Sequence, residues 1–141
     1  MKENTIVSLA DSNYFELLNE LIDSIQKFEQ SSSIGICILD AGLTKEQKDI
    51  LSKKVDEIKP AKWDIEVPGY KVKGKEWLKS QISRAFIPNY FPNFKKFLWI
   101  DCDAWVQEWS SIELYFKACE DGKLGITQTM APGYRIMSKV K

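Results

Sequence analysis

Two carboxylates separated by a single residue, Asp101 and Asp103, follow an apolar segment at residues 97–100 that has the composition of a buried strand. Side chains alternate between the two faces of a strand, so both aspartates are predicted to project to one side and Cys102 to the other. Carboxylate oxygens are the ligands that hard divalent cations such as Mg²⁺ or Mn²⁺ prefer, and a cation between them would relieve their repulsion. The pattern therefore predicts a metal site that bridges the protein to a diphosphate.

The same triplet also has a simpler structural interpretation. Aspartate is a common turn residue, and an Asp-x-Asp can end a strand and open a turn without binding anything. The apolar strand directly upstream favours the binding interpretation, because the ligands of open α/β sheets collect at the carboxyl ends of the strands. Both interpretations stay open at the level of the sequence.

A second polar cluster, Asp11, Asn13 and Tyr14, follows the first apolar segment of the chain at residues 5–10. The carboxyl ends of parallel strands lie on one rim of a sheet, so this cluster is expected to approach the same cleft as the aspartate pair. Asp and Asn can hydrogen-bond to base edges or ribose hydroxyls, and a tyrosine ring can stack on a base. The alternative is that the cluster caps the first helix and that Tyr14 packs in the core.

The composition restricts the class of protein. A chain of 141 residues is one domain large enough to bury a core, and its 20 basic and 20 acidic residues leave no overall positive field for nucleic acid. No apolar run has the length of a membrane span and no signal peptide precedes the first strand, so we expect a cytoplasmic protein. The three cysteines show no paired spacing, which favours reduced thiols. The sequence contains no histidine, which excludes histidine bases and histidine metal ligands within these residues.

Hydrophobic periodicity alternates between strand and helix along the chain. It predicts strands at residues 5–10, 34–39, 63–67, 97–101 and 124–127 and helices at 14–28, 44–58, 76–86 and 111–118. Thr44 and Gln47 have the spacing of a capping box, and Pro60 and Pro88 are predicted to end the helices before them. This order predicts an α/β fold with a mostly parallel sheet covered by helices on both faces. The predicted core contacts of the third helix are Trp77, Ile82 and Phe86.

Four segments together resemble glycosyltransferase family 8 in order and spacing: residues 8–14, 38–44 and 83–88, and the strand that ends in Asp101-Cys102-Asp103. This family comprises retaining, metal-dependent sugar transferases, among them bacterial lipopolysaccharide galactosyl- and glucosyltransferases. The resemblance covers the chain to about residue 129. It implies a Rossmann-related GT-A fold, with a nucleotide-sugar-binding domain at residues 1–130 and a basic tail at 131–141.

The resemblance implies roles for individual residues. Asp11, Asn13 and Tyr14 match positions that hold the uracil and ribose of a UDP-sugar, with Tyr14 as the stacking ring. Arg84 matches an arginine near the diphosphate and donor sugar, a position that suits a planar guanidinium. Its alternative is a solvated surface charge. The candidate nucleotide-binding residues are Asp11, Asn13, Tyr14, Arg84, Asp101 and Cys102.

The resemblance also implies the metal and the reaction. Asp101 and Asp103 match the pair that binds Mn²⁺, or Mg²⁺, and through it the diphosphate, so that the ion neutralises charge as UDP departs. The implied partners are UDP-glucose or UDP-galactose as donor and a carbohydrate as acceptor. On the strand geometry Cys102 adds nothing to the metal site, and we expect it to be a small buried hydrophobe.

The chain departs from the family in its metal ligands. Family members continue further and supply a histidine as an additional ligand, so we expect this chain to be the nucleotide-sugar half of such an enzyme. One alternative is a non-catalytic domain that binds a UDP-sugar and a metal. A haloacid dehalogenase-like phosphatase also places Asp-x-Asp after an apolar strand, but Ala104-Trp105 stands where that class has Gly-Thr.

Overall fold

The computed structural model of the protein describes residues 2–127. Four strands form one parallel sheet in the order β3-β2-β1-β4. They are β1 (Asn4–Ala10), β2 (Gly35–Asp40), β3 (Glu57–Pro60) and β4 (Lys96–Trp99). β1 and β2 are central and almost entirely buried, as expected for parallel strands with both faces covered. The predicted parallel α/β architecture is confirmed.

Helices cover both faces of this sheet. The α-helices of the described part are α1 (Phe15–Gln26), α2 (Lys45–Leu51), α3 (Gly69–Val72), α4 (Lys79–Ser83), α5 (Ile87–Tyr90) and α6 (Trp109–Ala118). The apolar faces of α1 and α6 pack with Ile6 and Ile38 on one side of the sheet. On the other side, Ile87 and Phe91 pack against Val7. The predicted helical cover on both faces is confirmed.

Helix α2 begins as predicted and ends earlier than predicted. The Thr44 hydroxyl accepts a hydrogen bond from the N–H of Gln47, and the Gln47 side chain accepts one from the N–H of Thr44, which is a complete capping box. The helix stops at Leu51, so the predicted extension to residue 58 is wrong. The chain turns after Leu51 and enters the sheet instead.

The third strand lies at Glu57–Pro60, and the prediction of a strand at residues 63–67 is wrong. The Asp56 carboxylate accepts a hydrogen bond of 2.9 Å from the N–H of Ile36 and one of 2.8 Å from Lys2 Nζ. These contacts hold the chain beside β2 just before the ladder with β3 begins. Pro60 is the last residue of this edge strand, where a proline is tolerated because no ladder partner needs its missing N–H.

The predicted helix at residues 76–86 is divided into short segments. Glu76–Leu78 and Arg84–Phe86 are single 3₁₀ turns on either side of α4, and α5 follows directly. Trp77 is 53% exposed and so is not a core residue, whereas Ile82 and Phe86 are partly buried. Pro88 lies in the first turn of α5 rather than after a helix. The N–H groups of a first helical turn have no acceptor within the helix, so a residue that lacks an N–H fits there.

The last predicted strand, at residues 124–127, is also wrong. Leu124 and Ile126 are 84% and 76% exposed, and within residues 2–127 no strand pairs with this segment. Alternating apolar residues make a strand only where a neighbour satisfies the backbone hydrogen bonds. The predicted basic tail at 131–141 lies outside the described residues. None of the helices in the described part has the length and apolar character needed to cross a membrane.

Candidate functional site

The predicted site residues meet at the carboxyl end of the sheet. β1 and β4 are adjacent parallel strands with Val7 opposite Trp99, so the chain leaves both strands at the same rim. A cleft of about 640 Å³ lies at this rim. All of the predicted nucleotide-binding and metal-binding residues line it, namely Asp11, Asn13, Tyr14, Arg84, Asp101, Cys102 and Asp103.

The loop after β1 is a turn built on Asp11. Its Oδ1 accepts hydrogen bonds from the N–H groups of Asn13 (2.9 Å) and Tyr14 (3.2 Å), so one carboxylate oxygen is used to fix the loop. Asp11 therefore fixes the turn before α1, whereas the N-cap residue of α1 is Tyr14 and the helix has no side-chain cap. Tyr14 is 48% exposed, which excludes the alternative that its ring is a core residue. The ring borders the cleft instead.

The loop after β2 is built on Asp40, in the same way as the loop after β1 is built on Asp11. Asp40 Oδ1 accepts hydrogen bonds from the N–H groups of Gly42 (2.8 Å) and Leu43 (2.7 Å), and its Oδ2 pairs with Lys48 at 3.2 Å. Burial acts to raise the pKa of the Asp40 carboxyl, but the hydrogen bonds from Leu43 and Gly42 and the Lys48 ammonium outweigh it and hold this pKa below its ordinary value. Asp40 is therefore a charged anchor beside the candidate site.

The aspartate pair lies in a turn rather than on a strand. β4 ends at Trp99, and the N–H of Ala104 donates a hydrogen bond of 3.0 Å to the carbonyl oxygen of Asp101. The alternation of side chains along a strand therefore does not explain the direction of the two carboxylates, and that part of the prediction is wrong. Both aspartates are exposed and line the cleft nevertheless, because the turn itself sits at the rim of the sheet.

Asp101 is held by two donors on one oxygen. Arg84 Nη2 lies 2.7 Å from Asp101 Oδ1, and Trp99 Nε1 donates to the same oxygen at 2.8 Å. The guanidinium carbon of Arg84 lies 4.9 Å from the centroid of the Trp99 ring, so the cation also stacks on the indole. Arg84 is thus an anchored cation beside the cleft and not a free surface charge. Because the pair is partly exposed, solvent screening limits its own contribution to stability to roughly 1 kcal/mol or less.

The burial of the Cys102 thiol agrees with a packing role rather than with metal binding. Burial raises the pKa of its thiol to about 11, and the carboxylates of Asp103, Asp101 and Asp11 add to this increase. A thiol with this pKa is neutral near pH 7 in the metal-free protein. The side chain packs against the core beneath the turn, so the predicted role as a small buried hydrophobe is supported.

The carboxylates of Asp101 and Asp103 suit a hard cation whose remaining ligands are phosphate oxygens and water. Within residues 2–127, no three Asp, Glu or Cys side chains lie close enough to hold a metal ion by themselves. Asp101 and Asp103 offer exposed carboxylate oxygens at one cleft, and both donors on Asp101 bind Oδ1. Mg²⁺ and similar ions are commonly held by one or two carboxylates together with phosphate oxygens and water. The residues present fit such an ion.

Sequence reasoning missed several residues of the cleft. Trp99 was predicted only as part of a strand, and Trp77 only as core, yet both line the cleft together with Ser80 and Gln81. For Trp99 a signal was available. It stands two residues before Asp101, and side chains at this spacing share a face of an extended segment. No sequence signal placed Ser80 or Gln81 at the rim, because their position depends on the broken helix.

Comparisons with known proteins agree with this geometry. The sequence model described as Glycosyl transferase family 8 matches residues 5–123. No curated protein sequence matches the chain significantly. The similar solved structures include one of an active-site mutant of LgtC and one of the galactosyltransferase LgtC in complex with donor and acceptor sugar analogs.

Both LgtC structures show the same fold at low sequence identity. Each has a TM-score of 0.55 and 20% identity, and covers 77% of this chain. Each covers 41% of the LgtC chain, so this chain spans less than half the length of the structures that it matches. The predicted GT-A fold is confirmed.

Proposed function

The chain belongs to glycosyltransferase family 8, and we propose that its cleft binds the UDP-sugar donor of a retaining hexosyl transfer. One observation carries this proposal. A single cleft at the rim of the sheet unites a hydrogen-bonding loop with an exposed ring, an anchored arginine and two exposed carboxylates. These groups suit, respectively, a base with its ribose, a diphosphate and a divalent cation.

The loop after β1 provides the groups for uracil and ribose in this proposal. Asp11 uses Oδ1 to fix its own turn, and its Oδ2 accepts only a long hydrogen bond of 3.5 Å from Asn13 Nδ2, so both side chains keep capacity to bond polar groups of the nucleoside. The half-exposed ring of Tyr14 offers a face on which uracil can stack. The loop is already ordered by its hydrogen bonds, so binding would cost little conformational entropy there.

The opposite side of the cleft provides the groups for the diphosphate. Arg84 is fixed by a hydrogen bond of 3.1 Å from its Nε to the carbonyl oxygen of Ser80, and its guanidinium has further N–H groups to offer to phosphate oxygens. Asp101 and Asp103 would hold Mn²⁺ or Mg²⁺, which when bound supplies charge neutralisation to the departing diphosphate. The role of these residues is to position the donor and to balance its charge.

The donor and acceptor are proposed from family membership. We propose UDP-glucose or UDP-galactose as donor and a carbohydrate acceptor, in a role such as lipopolysaccharide synthesis in the cytoplasm. The matched LgtC complex contains donor and acceptor sugar analogs, which supports a sugar nucleotide and a sugar as the two ligands. Because this chain spans less than half of LgtC, the activity is proposed for the protein to which these residues belong.

Calorimetry tests nucleotide binding directly. UDP is titrated into the protein in Mn²⁺ and then in EDTA, with ADP as the matched control nucleotide. The proposal expects UDP to bind more tightly in Mn²⁺ than in EDTA, and more tightly than ADP in either condition. Equal UDP affinity in Mn²⁺ and EDTA would overturn the metal bridge, and equal affinity for UDP and ADP would overturn the uracil pocket.

A second assay separates an enzyme from a binding domain. The protein is incubated with UDP-glucose or UDP-galactose, Mn²⁺ and a panel of sugar acceptors, and both free UDP and glycosylated products are measured. A glycosylated product with retained anomeric configuration supports the proposed transfer. UDP binding with neither hydrolysis nor transfer would show that this chain is a non-catalytic UDP-sugar-binding domain.

A further inference from the structure

We infer that Trp99 is a positioning residue for Asp101: its indole N–H holds one carboxylate oxygen and leaves the other to the divalent cation. This inference rests on the proposed function, since the cation is the one proposed for the cleft.

The geometry places two donors on the same oxygen. Trp99 Nε1 lies 2.8 Å from Asp101 Oδ1, and Arg84 Nη2 lies 2.7 Å from that oxygen. Within residues 2–127 neither of these donors reaches Oδ2. A carboxylate that is held through one oxygen presents the other in a defined direction, which favours coordination of a cation through a single oxygen.

Trp99 is well placed to impose this orientation. It is the last residue of β4, and its ring is partly buried against the core on the side of Val7 and Phe91. Its ring also carries the stacked guanidinium of Arg84, at 4.9 Å from the centroid. A single rigid side chain therefore fixes Asp101 directly, by a hydrogen bond, and again through Arg84.

The orientation matters because the Asp101 side chain would be free to turn without its two donors. The terminal torsion of an aspartate is broad, and this side chain is exposed in a turn. Residues that hydrogen-bond to metal ligands fix their direction, and removing such a partner commonly lowers metal affinity about 10- to 100-fold. Trp99 is a neutral donor and so orients the carboxylate without repelling the cation, whereas Arg84 carries a positive charge.

The test compares Trp99→Phe with a matched control. Phe keeps an aromatic ring for packing and stacking but removes the N–H donor. Trp105→Phe is the same substitution at a residue that is 59% exposed and does not line the cleft. Mn²⁺ is titrated in the presence of UDP, with free Mn²⁺ followed by electron paramagnetic resonance, and UDP is titrated separately in EDTA.

We expect Trp99→Phe to weaken Mn²⁺ binding by about 10-fold or more. UDP affinity in EDTA should fall much less than Mn²⁺ affinity, because the Phe ring can still stack on Arg84, and Trp105→Phe should bind both ligands like the parent protein. In the double variant Trp99→Phe/Asp101→Asn, the loss should not exceed that of Asp101→Asn alone, because the donor would act only through this carboxylate. A structural role for Trp99 would instead weaken UDP binding in EDTA as strongly as Mn²⁺ binding and would lower thermal stability.

The outcomes separate this inference from the proposed function. Unchanged Mn²⁺ affinity in a folded Trp99→Phe protein overturns the positioning role while the proposed function stands. Additive losses in the double variant overturn it as well. If the parent protein itself binds no Mn²⁺ in the presence of UDP, the metal part of the proposed function fails and this inference fails with it.

Discussion

The N–H of Ser12 donates a hydrogen bond of 3.1 Å to the carbonyl oxygen of Gly42, which ties the loop after β1 to the loop after β2. Gln47 adds a second tie, because its Nε2 donates to the carbonyl oxygen of Ser12 at 3.2 Å. The capping box of α2 thus also supports the loop that carries Asn13 and Tyr14. Residues outside the cleft therefore set the geometry of the proposed base pocket.

Gly42→Ala should destabilise the protein by about 1–3 kcal/mol, because Gly42 has a φ of 132°, which an L side chain rarely adopts. The expected cost comes from the backbone and not from crowding, since a Cβ there would lie 3.8 Å from Asp11 Cβ, an ordinary contact. Denaturant unfolding measures the change. Gly69→Ala is the control, because Gly69 has no positive φ and nothing lies within 4 Å of its added Cβ. Equal stability of the two variants would contradict the strain argument.

Asp40→Asn should destabilise the protein by about 1 kcal/mol near pH 7, because it removes the charge that three donors favour. The folded-state pKa of Asp40 is lowered, so its contribution to stability is complete above the unfolded pKa of about 3.9 and is lost as pH falls towards the folded pKa. The difference in unfolding free energy between parent and variant should therefore shrink as the pH is lowered from about 5 to about 2.5. A difference that stays constant across this range would show that the charge of Asp40 is not the cause.

Tyr14→Ala should weaken UDP binding by about 1–3 kcal/mol, the scale of base stacking on aromatic side chains. Tyr14→Phe should cost much less, because it keeps the ring. Since Tyr14 is 48% exposed, thermal stability should change little. Tyr70→Ala is a suitable control, because Tyr70 is 81% exposed and does not line the cleft. Intact UDP affinity of Tyr14→Ala would overturn the stacking role of Tyr14.

Asp101→Asn and Asp103→Asn should each lower the Mn²⁺-dependent affinity for UDP by roughly 10-fold or more, or about 1.4 kcal/mol. Each substitution keeps the size of the side chain and removes a negative charge from a cation ligand. Calorimetry in Mn²⁺ and in EDTA isolates the metal-dependent part of the affinity. Asp49→Asn, an exposed change on α2, is the control for net charge. Loss of UDP affinity in EDTA as well would point to a role that does not involve the metal.

Local interactions explain why some elements were predictable. Helix α1 follows from its repeat of leucine and isoleucine, and the start of α2 follows from Thr44 and Gln47, which bond to each other across one turn. Contacts distant in sequence explain the errors. Strand β3 depends on Asp56, which bonds to residues 20 and 54 positions away. The exposed segment at residues 124–127 lacks a neighbouring strand among the described residues.

By itself, the sequence determined the parallel α/β order, because hydrophobic periodicity carries this information directly, and the four segments that resemble the family indicated the seven candidate residues. Only the tertiary structure decided that Asp101 and Asp103 lie in a turn and that Arg84 and Trp99 share one oxygen of Asp101. Arg84 and Asp101 are 17 positions apart and meet only when the broken helix segments at residues 76–90 pack beside the end of β4. Orientation at the cleft is a property of that packing, because hydrogen bonds between distant residues form only after the sheet has brought the strand ends together.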